Sequence, residues 1–174
     1  MTKINAACLS AGLLTAIVLF ALRDYPAVPL WAMFITWACF FHLGGEQSPG
    51  TSFRITLTHI LVGVVSAWAS AMLVFANPWT DGLLSQLWAP LVIGLVIGLM
   101  VRLSAIGWLA VTPAIIYGYA SVWAFLSTSG HFSLAALQSL SMQNVVIVLP
   151  LCVLMGVCMG YVNVRMVRLI APNA

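Results

Sequence analysis

His59, Gly63, Ser66 and Ser70 are spaced four, three and four residues apart within one apolar run, which places them along a single face if the run is helical. An imidazole and two hydroxyls on one face can stand in for the water around a small polar solute. Gly63 leaves room there for the solute or for a second backbone. An ionisable ring inside an apolar run is by default a functional candidate. His59 is also only about a turn and a half beyond Arg54, where an ordinary hydrogen-bonded histidine of the interfacial zone would sit, and both readings stand.

A second constellation is Trp37-Ala-Cys-Phe40-Phe41-His42-Leu-Gly44-Gly45-Glu46. Two phenyl rings make a narrow waist that a polar solute crosses only after shedding water, and the glycines free the backbone to present amides or carbonyls at a mouth. The alternative is a helix that simply ends in a polar cap. A third is Thr112-Pro113 followed by Tyr117 and Tyr119, expected near the middle of a helix. There a proline would free a carbonyl at membrane depth, either to line a site or only to bend the helix.

Other chemistry is missing from the chain. Its acidic residues are Asp24, Glu46 and Asp81, and none falls in the middle of an apolar run, which disfavours ion-coupled transport. P-loop, HExxH and GxSxG patterns are absent, so neither nucleotide-driven pumping nor hydrolysis has a basis, and no enzyme activity and no cofactor are expected. Cys8, Cys39, Cys152 and Cys158 lack CxxC spacing and read as small packing residues, with no metal site.

The elements that must position these residues follow from composition. No Asp, Glu, Lys or Arg occurs between Arg102 and Arg165; charged residues make up 5 % of the 174 and apolar ones 63 %, too few charges to cover a water-soluble core. Lipid is the expected solvent, and the fold class is all-α, a polytopic bundle forming a single integral membrane domain over 1–174. Six transmembrane helices are expected near 5–22, 29–43, 55–76, 87–103, 106–126 and 144–168, the second of them short. The first follows Lys3 and reads as a permanent span rather than a cleaved signal. The connection 127–143 reads as a short amphipathic segment at the external face.

The basic residues are scattered singly and serve topology rather than nucleic-acid binding. Lys3, Arg54, Arg102, Arg165 and Arg168 share one side and only Arg23 lies opposite, so both termini are expected in the cytoplasm. Trp79, Trp88 and Trp123 fall near span ends, where indole rings favour headgroups. The halves also align. Thr15–Arg23 matches Gly94–Arg102, and Gly63, Ala67 and Trp68 match Gly156, Gly160 and Tyr161, a pattern expected of a three-plus-three inverted repeat. Gly94/Gly98 and Gly156/Gly160 are GxxxG pairs suited to close helix contact within the subunit or between protomers.

Leu30-Trp31-Ala-Met-Phe-Ile-Thr-Trp-Ala-Cys-Phe-Phe-His42-Leu-Gly-Gly45, with Gly63 and Trp68 beyond it, resembles the YcdZ-like family of small bacterial inner-membrane proteins of unknown function. The resemblance covers mainly residues 25–75 and implies a bacterial cytoplasmic-membrane location without an activity. His42-Leu departs from the family pattern, so no role passes to His42.

The residues together point to a passive channel or facilitator for a small, mostly neutral polar solute, assembled as a homo-oligomer in the bilayer. Two alternatives remain open. One is a substrate-binding subunit of a larger ATP-driven importer, with Ala7 and Ala11 as a docking pair. The other is a structural membrane protein without a solute path.

Overall fold

A computed structural model describes residues 1–128 and 130–172, and among them the chain is all-α. Seven α-helices follow in order: α1 Lys3–Leu22, α2 Leu30–His42, α3 Pro49–Phe75, α4 Gly82–Leu103, α5 Thr112–Ser127, α6 Ala135–Gln138 and α7 Val145–Ile170, with a 3-10 turn at Gly107–Leu109. Four of them, α1, α3, α4 and α7, are long and apolar enough to cross a membrane, and this makes the chain a membrane protein. The 13 residues of α2 and the 16 of α5 reach only about 20 and 24 Å at 1.5 Å per residue, short of the roughly 30 Å hydrocarbon layer. The sequence therefore yields six substantial helices, but not six of full spanning length.

Local chemistry sets the ends. Thr2 caps α1 by accepting the Asn5 N–H at 3.3 Å. Asn144 precedes α7 and accepts the Val146 N–H at 3.0 Å. Pro49 opens α3, and Pro113 lies in the first turn of α5, where a proline's missing donor costs nothing. The expected helix over 106–126 is thus corrected. Ser104–Val111 turn and form the 3-10 piece, α5 begins at Thr112, and Thr112-Pro113 starts the helix instead of kinking its centre. Pro150 does lie inside α7.

The chain divides into two compact units, Met1–Leu57 with the chain from Cys152 on, and Thr58–Leu151. In the first, α2 buries Ala32, Met33, Thr36 and Phe40, and α7 packs on it through Gly156, where a Cβ would meet the Met33 carbonyl and lie 2.8 Å from Thr36 Cβ. In the second, α5 buries one face against the later part of α3. A Cβ on Gly63 would meet the Ile115 carbonyl and stand 2.7 Å from the Tyr119 nitrogen, and one on Gly118 would meet the Ile60 carbonyl. The outer helices behave differently: α1 and α4 each bury only 11 % of their spanning window, as lipid-facing helices do.

The segment after α5 is not simply laid on a surface; Ser129 within it lies outside the described residues. Ala136 and Leu137 are buried, Trp68 Nε1 donates to the Leu137 carbonyl at 2.9 Å, and the Phe132 ring lies against Phe75 with centroids 4.7 Å apart and planes tilted by 30°. Trp79 and Trp88 pair edge to face at 5.3 Å, and Trp88 Nε1 donates to the Leu73 carbonyl at the end of α3.

The two GxxxG pairs have different fates. Gly156 and Gly160 are filled by α2, whereas a Cβ on Gly94 or Gly98 would meet nothing within 4 Å. Gly63→Ala and Gly118→Ala are each expected to destabilise the protein by at least ~1–3 kcal/mol. Gly94→Ala and Gly98→Ala should leave stability unchanged or raise it by up to about 1 kcal/mol. Thermal unfolding of the four variants in detergent checks the contrast.

Candidate functional site

Of the residues singled out in the sequence, His59, Gly63, Ser66, Ser70, Thr112, Pro113, Tyr117 and Tyr119 belong to the Thr58–Leu151 unit, and Phe40, Phe41 and His42 to the other. Gly63, Ser70 and Tyr119 come together. Ser70 Oγ donates to the Ala67 carbonyl at 2.9 Å and lies 3.0 Å from the Tyr119 hydroxyl. Its single proton is therefore spent on Ala67, and Tyr119 is the donor of the pair. Both residues are buried. This hydroxyl pair closes the contact that Gly63 opens, so the stripe is a helix–helix seam along part of its length.

The rest of the stripe is dispersed. His59 is buried, with Thr58 Oγ1 3.3 Å from its Nδ1. Ser66 turns its hydroxyl back to the Val62 carbonyl at 2.8 Å, the usual way to satisfy a serine within a helix. Tyr117 is 39 % exposed, Pro113 is exposed and Thr112 is half-buried at the head of α5.

In the other unit Phe40 is fully buried. Its ring fills the space that side chains at Gly45 and Gly160 would need, so it serves as packing. Phe41 lies edge-on to it, centroids 5.3 Å apart, and faces a cavity. His42 is the exposed last residue of α2, and the chain then turns through Gly44 at φ +79°, a left-handed position suited to glycine.

The cavity measures about 230 Å³ and lies among the start of α1, the turn after α2 and the last turns of α7. Four polar residues line it. Lys3 Nζ is 2.7 Å from Glu46 Oε2, and Arg168 Nη2 donates to the Glu46 carbonyl at 2.7 Å. Asn163 is 5 % exposed and donates through Nδ2 to the buried Ser10 hydroxyl at 3.0 Å. Ala7, Val164 and Val167 supply the apolar wall. Among the described residues no carboxylate lies within ion-pair distance of Arg168.

Sequence reading missed this constellation. Lys3 and Arg168 look like topology markers, and Glu46 like a turn residue. Asn163 left a usable signal: it is an amide within the last apolar run, seven residues beyond Gly156, as Ser70 is seven beyond Gly63. The repeat alignment therefore sets Ser70 and Asn163 in register. Each makes a buried hydrogen bond inside its own unit, Ser70 to Tyr119 and Asn163 to Ser10.

An α-helical chain with four helices long and apolar enough to cross a membrane belongs to the class of membrane proteins. The family model described as protein of unknown function DUF1097 matches residues 8–168, and the chain belongs to that family. The match takes in both halves, well beyond the 25–75 segment that carries the YcdZ-like resemblance. No curated protein and no solved structure matches the chain.

Tyr119→Phe is expected to cost about 1–2 kcal/mol by leaving Ser70 one donor short in a buried seam. In a double-mutant cycle with Ser70→Ala the coupling should be about 0.5–1.5 kcal/mol. Unfolding in mixed micelles measures it; additivity of the two changes would mean that the pair carries no energy of its own.

Proposed function

We propose that the chain is a passive channel or facilitator for a small, mostly neutral polar solute, a single membrane domain of six helices in a three-plus-three inverted repeat. The observation that carries this reading is the matched pair of short helices. α2 and α5 are each the second α-helix of their half, each is too short to cross unaided, and each follows an irregular segment, at residues 23–29 and 104–111. Short or interrupted helices in corresponding positions of two halves are the best sequence-level pointer to a solute site, because they end inside the membrane and leave polar backbone there.

The composition of the two units supports the repeat. One combines α1, α2, the start of α3 and most of α7; the other combines α4, α5, most of α3 and the start of α7. The glycine contacts correspond as well: Gly156 of α7 presses on α2 and Gly63 of α3 presses on α5. On this reading each short helix completes a third crossing together with the irregular segment before it, and only such an odd number of crossings per half would insert the halves in opposite directions. The open glycine face of α4 suits a homo-oligomer, and the YcdZ-like resemblance together with the distribution of basic residues supports a bacterial inner membrane with both termini cytoplasmic.

Proteoliposomes carrying the protein are expected to pass glycerol and urea faster than protein-free vesicles. His59→Leu and Phe41→Ala should change that rate at least about threefold, roughly 0.7 kcal/mol of barrier. Rates equal to those of empty vesicles for every small polar solute would remove the proposal. Binding without passage would move the chain to the class of importer subunits.

A further inference from the structure

The 230 Å³ cavity holds three ionised groups and one nearly buried amide whose bonding capacity is only half used. Glu46 engages Lys3 through Oε2, and no described donor reaches its Oε1. Arg168 spends one N–H on a main-chain carbonyl and meets no described carboxylate. Asn163 gives Nδ2 to Ser10, and its Oδ1 accepts from no described donor although the residue is 95 % buried and lines the cavity. That oxygen opens onto the cavity and can accept from a donor that enters it.

These groups select by charge. A plain anion gains Arg168 and the remaining Lys3 protons but faces the Glu46 carboxylate; a plain cation gains Glu46 and Asn163 Oδ1 but faces Arg168. Each therefore meets one like charge, and such juxtapositions cost affinity. A molecule bearing both signs meets neither penalty. The volume suits it: at ~30 Å³ per water the cavity has room for about eight waters, the scale of a molecule with about eight heavy atoms. The wall of Ala7, Val164 and Val167 accepts a short aliphatic portion.

We propose that this cavity binds a small zwitterion, with its anionic group on Arg168 and Lys3, its ammonium on Glu46 and Asn163, and its aliphatic part against α1 and α7. The assignment rests on the solute-facilitator reading and narrows its substrate to net-neutral molecules of the α-amino-acid type.

The test uses the full-length protein in an uncharged maltoside detergent, titrated calorimetrically with L-valine, with the anion N-acetyl-L-valine and with the cation L-valinamide. L-Valine is expected to bind at least tenfold more tightly than either blocked form. Arg168→Gln and Glu46→Gln should each weaken it at least tenfold, Arg168→Lys should restore part of the loss, and Arg165→Gln should leave it unchanged, since Arg165 bonds Tyr161 away from the cavity. Equal or tighter binding of N-acetyl-L-valine would make this an anion site and overturn the proposal. Displacement of retained phosphatidylglycerol, seen by native mass spectrometry, in place of L-valine binding would make it a lipid-headgroup site and overturn it too. So would silence towards all three probes. Flux separates the two readings: glycerol passage without L-valine binding removes only the zwitterion, and L-valine binding without passage of any solute removes only the facilitator.

Discussion

In a hydrocarbon solvent helices gain nothing by hiding leucine from lipid, so they are held together where backbones can touch. Gly63 on the Ile115 carbonyl, Gly118 on the Ile60 carbonyl and Gly156 on the Met33 carbonyl are those places. The contacts let α5 lie close against α3 and α2 close against α7, so each short helix is covered along one face. Such close approach also shortens dispersion distances along the whole seam, which is the main attraction left once hydrophobic burial no longer discriminates.

Polar groups in the spans follow the same logic. Ser66 and Ser121 turn back to carbonyls one turn earlier in their own helices, and Ser70 with Tyr119 and Ser10 with Asn163 bond across to another helix. In the absence of water each hydroxyl must find a protein partner or cost several kcal/mol, of order the transfer penalty. Trp37 Nε1 and Trp123 Nε1 are buried without a described hydrogen-bond partner, and the cavity beside Asn163 has acceptor capacity left over where Lys3, Glu46 and Arg168 gather. An ion pair as exposed as Lys3–Glu46, with half of each side chain open, contributes little to stability, about 0–1 kcal/mol. Its charges are available to a ligand.

Much of this was legible beforehand. Long runs without charge announce spanning helices, proline and glycine mark their ends, and the polar stripe on α3 singles out Ser70, whereas Asn163 was passed over although it stands seven residues beyond Gly156 as Ser70 stands beyond Gly63. The start of α5 was not legible, because an apolar stretch from Ile106 onward fits a helix as well as it fits the turn and 3-10 piece found before Thr112. Nor did the aromatic pair reveal its division of labour: Phe40 plugs the hollow over Gly45 and Gly160, and Phe41 alone faces open space.

By itself the sequence determined the solvent and the existence of the six larger helices, since both follow from local sums of side-chain hydropathy and helix propensity within a few turns. Only the tertiary structure decided which GxxxG pair is filled and which is left open, and it alone joined Lys3 and Glu46 with Asn163 and Arg168 around one cavity. Those outcomes depend on residues more than a hundred positions apart arriving at the same height, and no local pattern encodes that distance.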